Sequence, residues 1–174
     1  MKILIASDIH GSRYYAQKLA ERFAAEGAEQ LILLGDIYNH GPRNPLPKDY
    51  DPMGVASVLN ALVSKLTVVK GNCDSDVDTL ISDFEFVSEA VIFTEGKKVF
   101  LQHGDRFSID KLPKNCGDAF IYGHYHTGFI RRRRARRQLR LYVAAQRGYR
   151  AQLYGVGRQE ADPQRYGRQR ACKR

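Results

Sequence analysis

The chain has 174 residues and a mass of 19.8 kDa, with 43% hydrophobic residues, 27% charged residues and a formal net charge of +9. This composition excludes a disordered chain, and the length is typical of one domain with its own hydrophobic core. No apolar run reaches the roughly 18 residues of a membrane span, and the first apolar stretch ends at Asp8, too early for a signal peptide. The three cysteines lack a disulfide-framework spacing, so we expect a cytoplasmic protein without a membrane partner.

The positive charge is confined to one end of the chain. Residues 1–127 contain 13 Lys+Arg and 17 Asp+Glu, a net charge of −4. Residues 128–174 contain 15 Lys+Arg and 2 Asp+Glu, a net charge of +13. We therefore expect a domain at 1–127 followed by an arginine-rich tail at 128–174. Nucleic acid is an expected partner only if this tail is a genuine part of the protein.

Short apolar runs alternate with helical patterns along the first half. The predicted strands and helices there are, in chain order, strand 2–6, helix 12–26, strand 30–34, helix 53–65 and strand 66–70. Residues 39–52 hold four prolines and form a loop long enough to have a function. The alternation predicts an α/β fold with parallel pairing in this half.

The pattern changes in the second half. A short helix is predicted at 76–84, two strands at 86–94 and 97–102 joined by a Glu95-Gly96 hairpin, and a further strand at 119–122. Beyond Thr127, only 139–145 has the character of a strand. The remaining sequence is rich in Arg, Gln, Gly and Tyr, which is a compositional bias rather than a structural pattern.

All five histidines of the chain lie at, or in the loop beside, predicted strand ends that are marked by glycine. The carboxyl ends of strands in an open α/β sheet line one crevice, so these segments can converge. Seven of their side chains are candidate metal ligands: Asp8, His10, Asp36, Asn72, His103, His124 and His126.

Seven ligands are too many for one transition metal and suit two ions, about 3.5–4 Å apart, that share a carboxylate. Asp36 stands alone on its strand end and is the natural bridge. Imidazole suits zinc, manganese, iron or nickel, and oxygen ligands suit harder ions such as manganese. We expect two divalent ions, with manganese first and zinc, iron or nickel as alternatives.

The ordered set D-x-H, G-D, G-N-x-D, H-G and G-H-x-H resembles the calcineurin-like metallophosphoesterase family, and the loop LGDIYNHGPRNPLP resembles its small bacterial phosphodiesterase branch. This resemblance implies a four-layer αββα sandwich with a dinuclear site at one edge, atypical after about residue 127. It implies that one metal is held by Asp8, His10 and His126. It implies that Asn72, His103 and His124 hold the other, with Asp36 as the bridge.

The resemblance also implies a metal-dependent phosphodiesterase, in which a metal-activated hydroxide attacks a small phosphodiester substrate. Two alternatives remain open: a non-catalytic scaffold, as in the retromer subunit of this fold, and nucleic-acid binding through the basic tail. The oligomeric state is also open, with a homo-oligomer as one candidate because related small esterases often pair.

Asn72 and Cys73 are the catalytic candidates. The larger family commonly has histidine where this chain has Cys73, and a thiol with a pKa of about 8.5 is a poorer acid at neutral pH than imidazole. We therefore expect a preference for good leaving groups, as in aryl phosphodiesters. The other interpretation is that Cys73 packs as a small buried hydrophobe. Asp74 is expected to orient a ligand or to cap the following helix.

The loop after Asp36 supplies the substrate-binding candidates Asn39, His40 and Arg43. An arginine can bind a phosphate through two donors, and a histidine here would lie near the metals without ligating them. The alternative is a proline-stiffened surface loop in which Asn39 holds a turn through its own side chain.

The tail breaks the family pattern, because members continue with a hairpin, an N-P-G-S turn and closing strands that are not recognisable here. Three explanations remain open. The tail is a product of a reading-frame slip after Thr127, a basic arm whose tyrosines stack on nucleic acid, or a disordered extension without a role.

Overall fold

The computed structural model describes residues 1–108 and 110–126, and the backbone of 130–133 and 139–143. Two β-sheets pack face to face in this part of the chain. The elements, in chain order, are β1 (Ile3–Ala6), α1 (Arg13–Ala25), β2 (Gln30–Leu33), α2 (Pro52–Asn60), β3 (Leu66–Val69), β4 (Phe86–Val87), β5 (Ala90–Thr94), β6 (Lys97–Leu101), β7 (Ala119–Tyr122), β8 (Ile130–Arg133) and β9 (Leu139–Val143). Single 3-10 turns lie at Val63–Lys65 and Asp76–Leu80.

The first sheet is entirely parallel, in the order β1-β2-β3-β4. Helices α1 and α2 cover its outer face and bury Phe23 and Leu59 against it. Each helix starts where the sequence provides a cap. Ser12 accepts a hydrogen bond from the Tyr15 amide, and the Asp51 side chain accepts one from the Gly54 amide. The predicted α/β class with parallel pairing in the first half is confirmed.

The second sheet is mixed, in the order β5-β6-β7-β9-β8. Its first two strands form the predicted antiparallel hairpin, and both turn residues, Glu95 and Gly96, have the positive φ of the tight turn that such hairpins favour. The inner faces of the two sheets bury a shared apolar layer that includes Ile5, Ile32 and Leu101. This layer holds the strand ends of both sheets in a fixed relation.

The outer face of the second sheet buries Phe100, Phe120 and Tyr122. Phe107 and Leu112, from the connection between β6 and β7, pack against these rings. No helix lies in the described residues of that connection. The two packed sheets agree with the expected sandwich. Among the described residues, a loop rather than a helix covers the outer face of the second sheet.

Three predicted elements differ from those observed. The predicted strand 86–94 is two strands, because the chain leaves the first sheet after Val87 and enters the second at Ala90. Apolar residues occupy both halves, so the pattern does not reveal the crossing. The predicted helix 53–65 ends at Asn60, whose side chain bonds to the backbone of residues 81 and 83. The predicted helix 76–84 is a single 3-10 turn.

The second sheet continues beyond Thr127. Strand β9 occupies most of the predicted strand 139–145 and pairs in parallel with β7, and β8 pairs antiparallel with β9. The described residues beyond Thr127 thus contain two strands, where the sequence predicted one. Strand β8 was missed because its arginine run has no alternation of apolar and polar residues. The domain boundary near Thr127 and the three explanations of the tail stay predictions, and residues 144–174 lie outside the described part.

None of the helices that the structure describes is long and apolar enough to span a lipid bilayer.

Candidate metal centre

The predicted ligands converge at one edge of the sandwich, where strands of both sheets end. Each follows the carboxyl end of its strand within a few residues. They are Asp8 and His10 after β1, Asp36 after β2, Asn72 after β3, His103 after β6, and His124 and His126 after β7. Main-chain hydrogen bonds join these ends, from the Asp8 amide to Gly35 and from the Gly123 amide to His103.

Five of these seven residues have a backbone conformation that residues other than glycine rarely adopt. Their φ angles, all in the left-handed region, are Asp8 59°, His10 51°, Asp36 55°, His124 71° and His126 52°. Such residues cost of order 1–3 kcal/mol each and persist where the surrounding structure enforces them, which is typical of functional sites. In the described ranges, only two other non-glycine residues share this conformation.

Asp8, His10 and His126 form the first ligand group. The His126 Nε2 lies 3.3 Å from Asp8 Oδ1 and 3.0 Å from the His10 Nε2. Asp8 Oδ1 is fully buried and has no hydrogen-bond partner among the described residues, while Oδ2 accepts the His124 amide. A buried carboxylate oxygen without a partner is costly, and two imidazole nitrogens beside it form a donor set that suits a divalent transition metal. These residues fit a metal ion.

Asp36, His103 and His124 form the second group. The His103 Nε2 lies 3.4 Å from Asp36 Oδ2, 3.2 Å from the His124 Nδ1 and 2.9 Å from the Asn72 Oδ1. Asp36 Oδ2 is also 3.6 Å from the His10 Nε2 of the first group. The Asp36 carboxylate therefore lies between the two groups.

Backbone carbonyls orient two of the imidazoles. The His10 Nδ1 lies 2.7 Å from the Asn39 carbonyl oxygen, and the His103 Nδ1 lies 2.6 Å from that of Leu34. A carbonyl only accepts, so each Nδ1 carries the proton. Each Nε2 then faces the cluster, as in histidine ligands that are held by a second hydrogen bond.

The charges of the cluster shift its pKa values. Burial opposes the ionisation of Asp8, yet the neighbouring imidazoles of His10 and His126 outweigh it and hold its pKa well below the usual range. Burial likewise opposes ionisation of Asp36, but His103 lowers its pKa. Burial disfavours the charged form of His103, whereas the hydrogen bond and charge of Asp36 raise its pKa to about 9.

A pH dependence of stability follows for the protein in excess chelator. The raised pKa of His103 gives a stabilising contribution that is complete below its ordinary pKa of 6.5 and is lost as the pH rises through about 9. We expect a lower Tm at pH 9.5 than at pH 6.5, measured by thermal unfolding. His103→Gln should remove most of this difference. A difference of the same size in that variant would contradict the assignment.

Asp74 ties two strand ends together. Its carboxylate accepts hydrogen bonds from the amides of Asp36, at 2.8 Å, and of Ile37 and Gly71, at 2.7 Å each. Of the two expected roles, the structure therefore favours orientation of a ligand. The cap of the following 3-10 turn is Ser75.

Cys73 lies beside the cluster, partly buried. Its amide donates to Asp36 Oδ1 at 2.8 Å, and its sulfur, with His10 and Asp36, forms a third group of potential ligand atoms. Burial, followed by the negative charges of nearby aspartates, raises the pKa of its thiol to about 12. The thiol is therefore protonated at neutral pH and is a weak acid.

The loop candidates have different positions. Asn39 binds His10 through its backbone carbonyl, and its side chain accepts the Gly41 amide, which favours the turn interpretation. His40 packs edge-on against Tyr50, with ring centroids 5.4 Å apart. Arg43 is exposed, and it makes no hydrogen bond or ion pair with any residue in the described part of the chain.

Three residues at the site were missed by the sequence analysis. Ser7 donates to the Leu34 carbonyl beside His103, and buried Gln102 accepts the Gly104 amide just after this ligand. Tyr125, between two ligands, is exposed. Their positions in the sequence could have indicated them, because all three are immediate neighbours of predicted ligands.

Comparison with known proteins decides the family. The sequence profile described as "Calcineurin-like phosphoesterase superfamily domain" matches residues 1–152. This chain belongs to that superfamily. The match extends past Thr127 and includes the strands β8 and β9. The expected resemblance, the fold class and the hydrolase class are thereby confirmed.

Relatives agree with this family. The chain is 44% identical over 128 residues to "Phosphodiesterase YfcE" of Escherichia coli K12. The aligned segment covers 72% of this chain and 70% of the relative. The solved structure of YfcE from E. coli, described as a phosphoesterase, superposes with a TM-score of 0.77 at 35% identity, covering 86% of this chain and 84% of that one. An archaeal phosphodiesterase shares the fold, with a TM-score of 0.61 at 21% identity over 83% of this chain and 84% of that one.

Proposed function

We propose that this protein is a metal-dependent phosphodiesterase that hydrolyses small phosphodiesters at a dinuclear centre. The observation that carries the proposal is the position of the Asp36 carboxylate, between two groups of imidazole and carboxylate ligands. The similarity to a protein named phosphodiesterase supports a phosphodiester, rather than a phosphomonoester, as the substrate.

Two sets of ligands are proposed. Asp8, His10 and His126 would hold one divalent ion, preferentially manganese, with zinc, iron or nickel as alternatives. Asn72, His103 and His124 would hold the second ion, and Asp36 would be a ligand common to both. When bound, the metal ions neutralise phosphoryl oxygens and supply a nucleophile from water near neutral pH.

The chain's own groups position the reactants. By accepting from Nδ1, the carbonyls of Leu34 and Asn39 direct the Nε2 atoms of His103 and His10 at the centre, where a bound cation would take the place of an Nε2 proton. Asn72 is exposed and turns its Oδ1 to His103, while its Nδ2 donates to the Cys73 sulfur at 3.2 Å. This amide is the group placed to donate to a phosphoryl oxygen of the substrate. The exposed guanidinium of Arg43 and the ring of His40 are the remaining substrate-binding candidates.

The test is hydrolysis of bis-p-nitrophenyl phosphate by the full chain with added manganese. We expect turnover that excess chelator abolishes and that manganese restores. Absence of turnover while metal analysis finds two bound ions would reject the enzyme and favour the scaffold. Location in the cytoplasm, a homo-oligomer and a nucleic-acid partner of the tail stay predictions.

Cys73→His is expected to increase hydrolysis of p-nitrophenyl phosphate, a monoester. Histidine ionises near neutral pH, whereas the thiol of Cys73 has a pKa of about 12, so the variant gains an acid beside the leaving group. An increase of about tenfold or more is expected, since general acids contribute at least a hundredfold where well placed. The control is Cys73→Ser, which should show no gain. Unchanged monoesterase activity in the histidine variant would refute the acid argument.

A further inference from the structure

The residue between the two histidines of the G-H-x-H segment is an exposed tyrosine. Tyr125 is 49% exposed, although its neighbours His124 and His126 are both turned into the ligand cluster. The chain bends sharply here, since both histidines have positive φ and the Tyr125 amide donates to the Gly123 carbonyl at 2.9 Å. This bend places a large aromatic ring at the rim of the centre.

The ring of Tyr125 is held in place by its neighbours. Its centroid lies 5.4 Å from that of His124 at an interplanar angle of 81°, and 5.9 Å from that of the buried Tyr122 at 75°. Both are edge-to-face contacts, a favourable geometry for aromatic pairs. With these contacts made, Tyr125 is still about half exposed beside a proposed ligand.

We infer that Tyr125 is a specificity-determining residue, whose ring stacks on a flat aromatic group esterified to the substrate's phosphate. The inference rests on the proposed function, because the cluster beside Tyr125 is what would hold the phosphoryl group. An ester group that leaves the cluster on this side meets the ring. An aryl or nucleobase group then gains a stacking contact that a methyl group cannot make.

Kinetics with matched diesters test this role. Bis-p-nitrophenyl phosphate and methyl p-nitrophenyl phosphate have the same leaving group, but only the first has a second aryl group. Tyr125→Ala should lower kcat/KM for the bis-aryl ester about tenfold more than for the methyl ester, mainly through KM. Tyr125→Phe should retain the preference, since stacking needs the ring and not the hydroxyl. Phe93→Ala removes an exposed ring on β5, far along the sheet from the cluster, and should leave the ratio unchanged.

Equilibrium binding separates this inference from the proposed function. Calorimetry on the manganese-loaded protein would compare phenyl phosphate with methyl phosphate, and adenosine monophosphate with ribose 5-phosphate. If Tyr125→Ala weakens phenyl phosphate alone about tenfold, an aryl ester is the substrate class. If it weakens the adenosine ligand as well, any flat ring is accepted. Equal binding by the wild type and the variant for all four ligands would overturn the inference. Binding decides it even if no diester is hydrolysed, which would itself refute only the proposed function.

Discussion

Replacing Asp36 by asparagine is expected to reduce phosphodiesterase activity at least a hundredfold. Asp36 Oδ2 lies within 3.6 Å of an imidazole nitrogen from each ligand group, so one change affects both proposed metal positions. Changes in groups that merely support ligands already cost about 10- to 100-fold in metal affinity or activity. The measurements are kcat/KM for bis-p-nitrophenyl phosphate at saturating manganese and the number of bound ions by metal analysis.

The asparagine variant should still fold. Asp36 Oδ1 accepts the Cys73 amide at 2.8 Å, and an asparagine side-chain oxygen can accept the same bond. Asp83→Asn is the matched control, since it makes the same chemical change at an exposed position and should keep full activity. Retention of more than about a tenth of wild-type activity by Asp36→Asn at saturating metal would exclude the bridging role.

Gly71→Ala is expected to lower both activity and stability, although it adds a single methyl group. A Cβ at Gly71 would lie 2.3 Å from Asp36 Oδ1 and 2.4 Å from the Asp36 backbone nitrogen. Neither strand end can yield easily, because Asp74 binds the amides of both residues. Overpacking of this kind costs about 1–3 kcal/mol, and a displacement of a reacting group by about 1 Å can cost a hundredfold in rate.

The control for this substitution is Gly27→Ala. Gly27 follows α1, and a Cβ there would meet nothing within 4 Å. Its φ of 58° makes alanine strained, so we expect a loss of about 1 kcal/mol in the free energy of unfolding and unchanged kcat/KM. Chemical denaturation and diester hydrolysis measure the two effects. Equal activity of the Gly71 and Gly27 variants would show that the close approach to Asp36 is unimportant.

The sequence was most informative where chemistry and local structure coincide. The capping serine at residue 12, the alternation of strands and helices, and the glycine-marked strand ends predicted α1, the parallel strands and the positions of the ligands. The sequence did not predict elements whose residues lack a regular apolar pattern. The crossing between β4 and β5 is marked only by Ser88 and Glu89, a polar pair that one continuous strand could also contain. The arginine run of β8 lacks the periodicity of a strand, although it pairs antiparallel with β9.

By itself, the amino-acid sequence determined which residue types are present, in which order, and at which strand ends, because metal chemistry and strand periodicity are properties of residue type and spacing. Only the tertiary structure decided how these ends meet. It placed Asp36 between the two histidine groups, left Asp8 Oδ1 buried without a hydrogen-bond partner among the described residues, and joined the Asp36 and Gly71 backbones through Asp74. It also turned Tyr125 outward. These contacts join residues up to 116 positions apart, and packing of the two sheets, rather than local preference, brings such residues together.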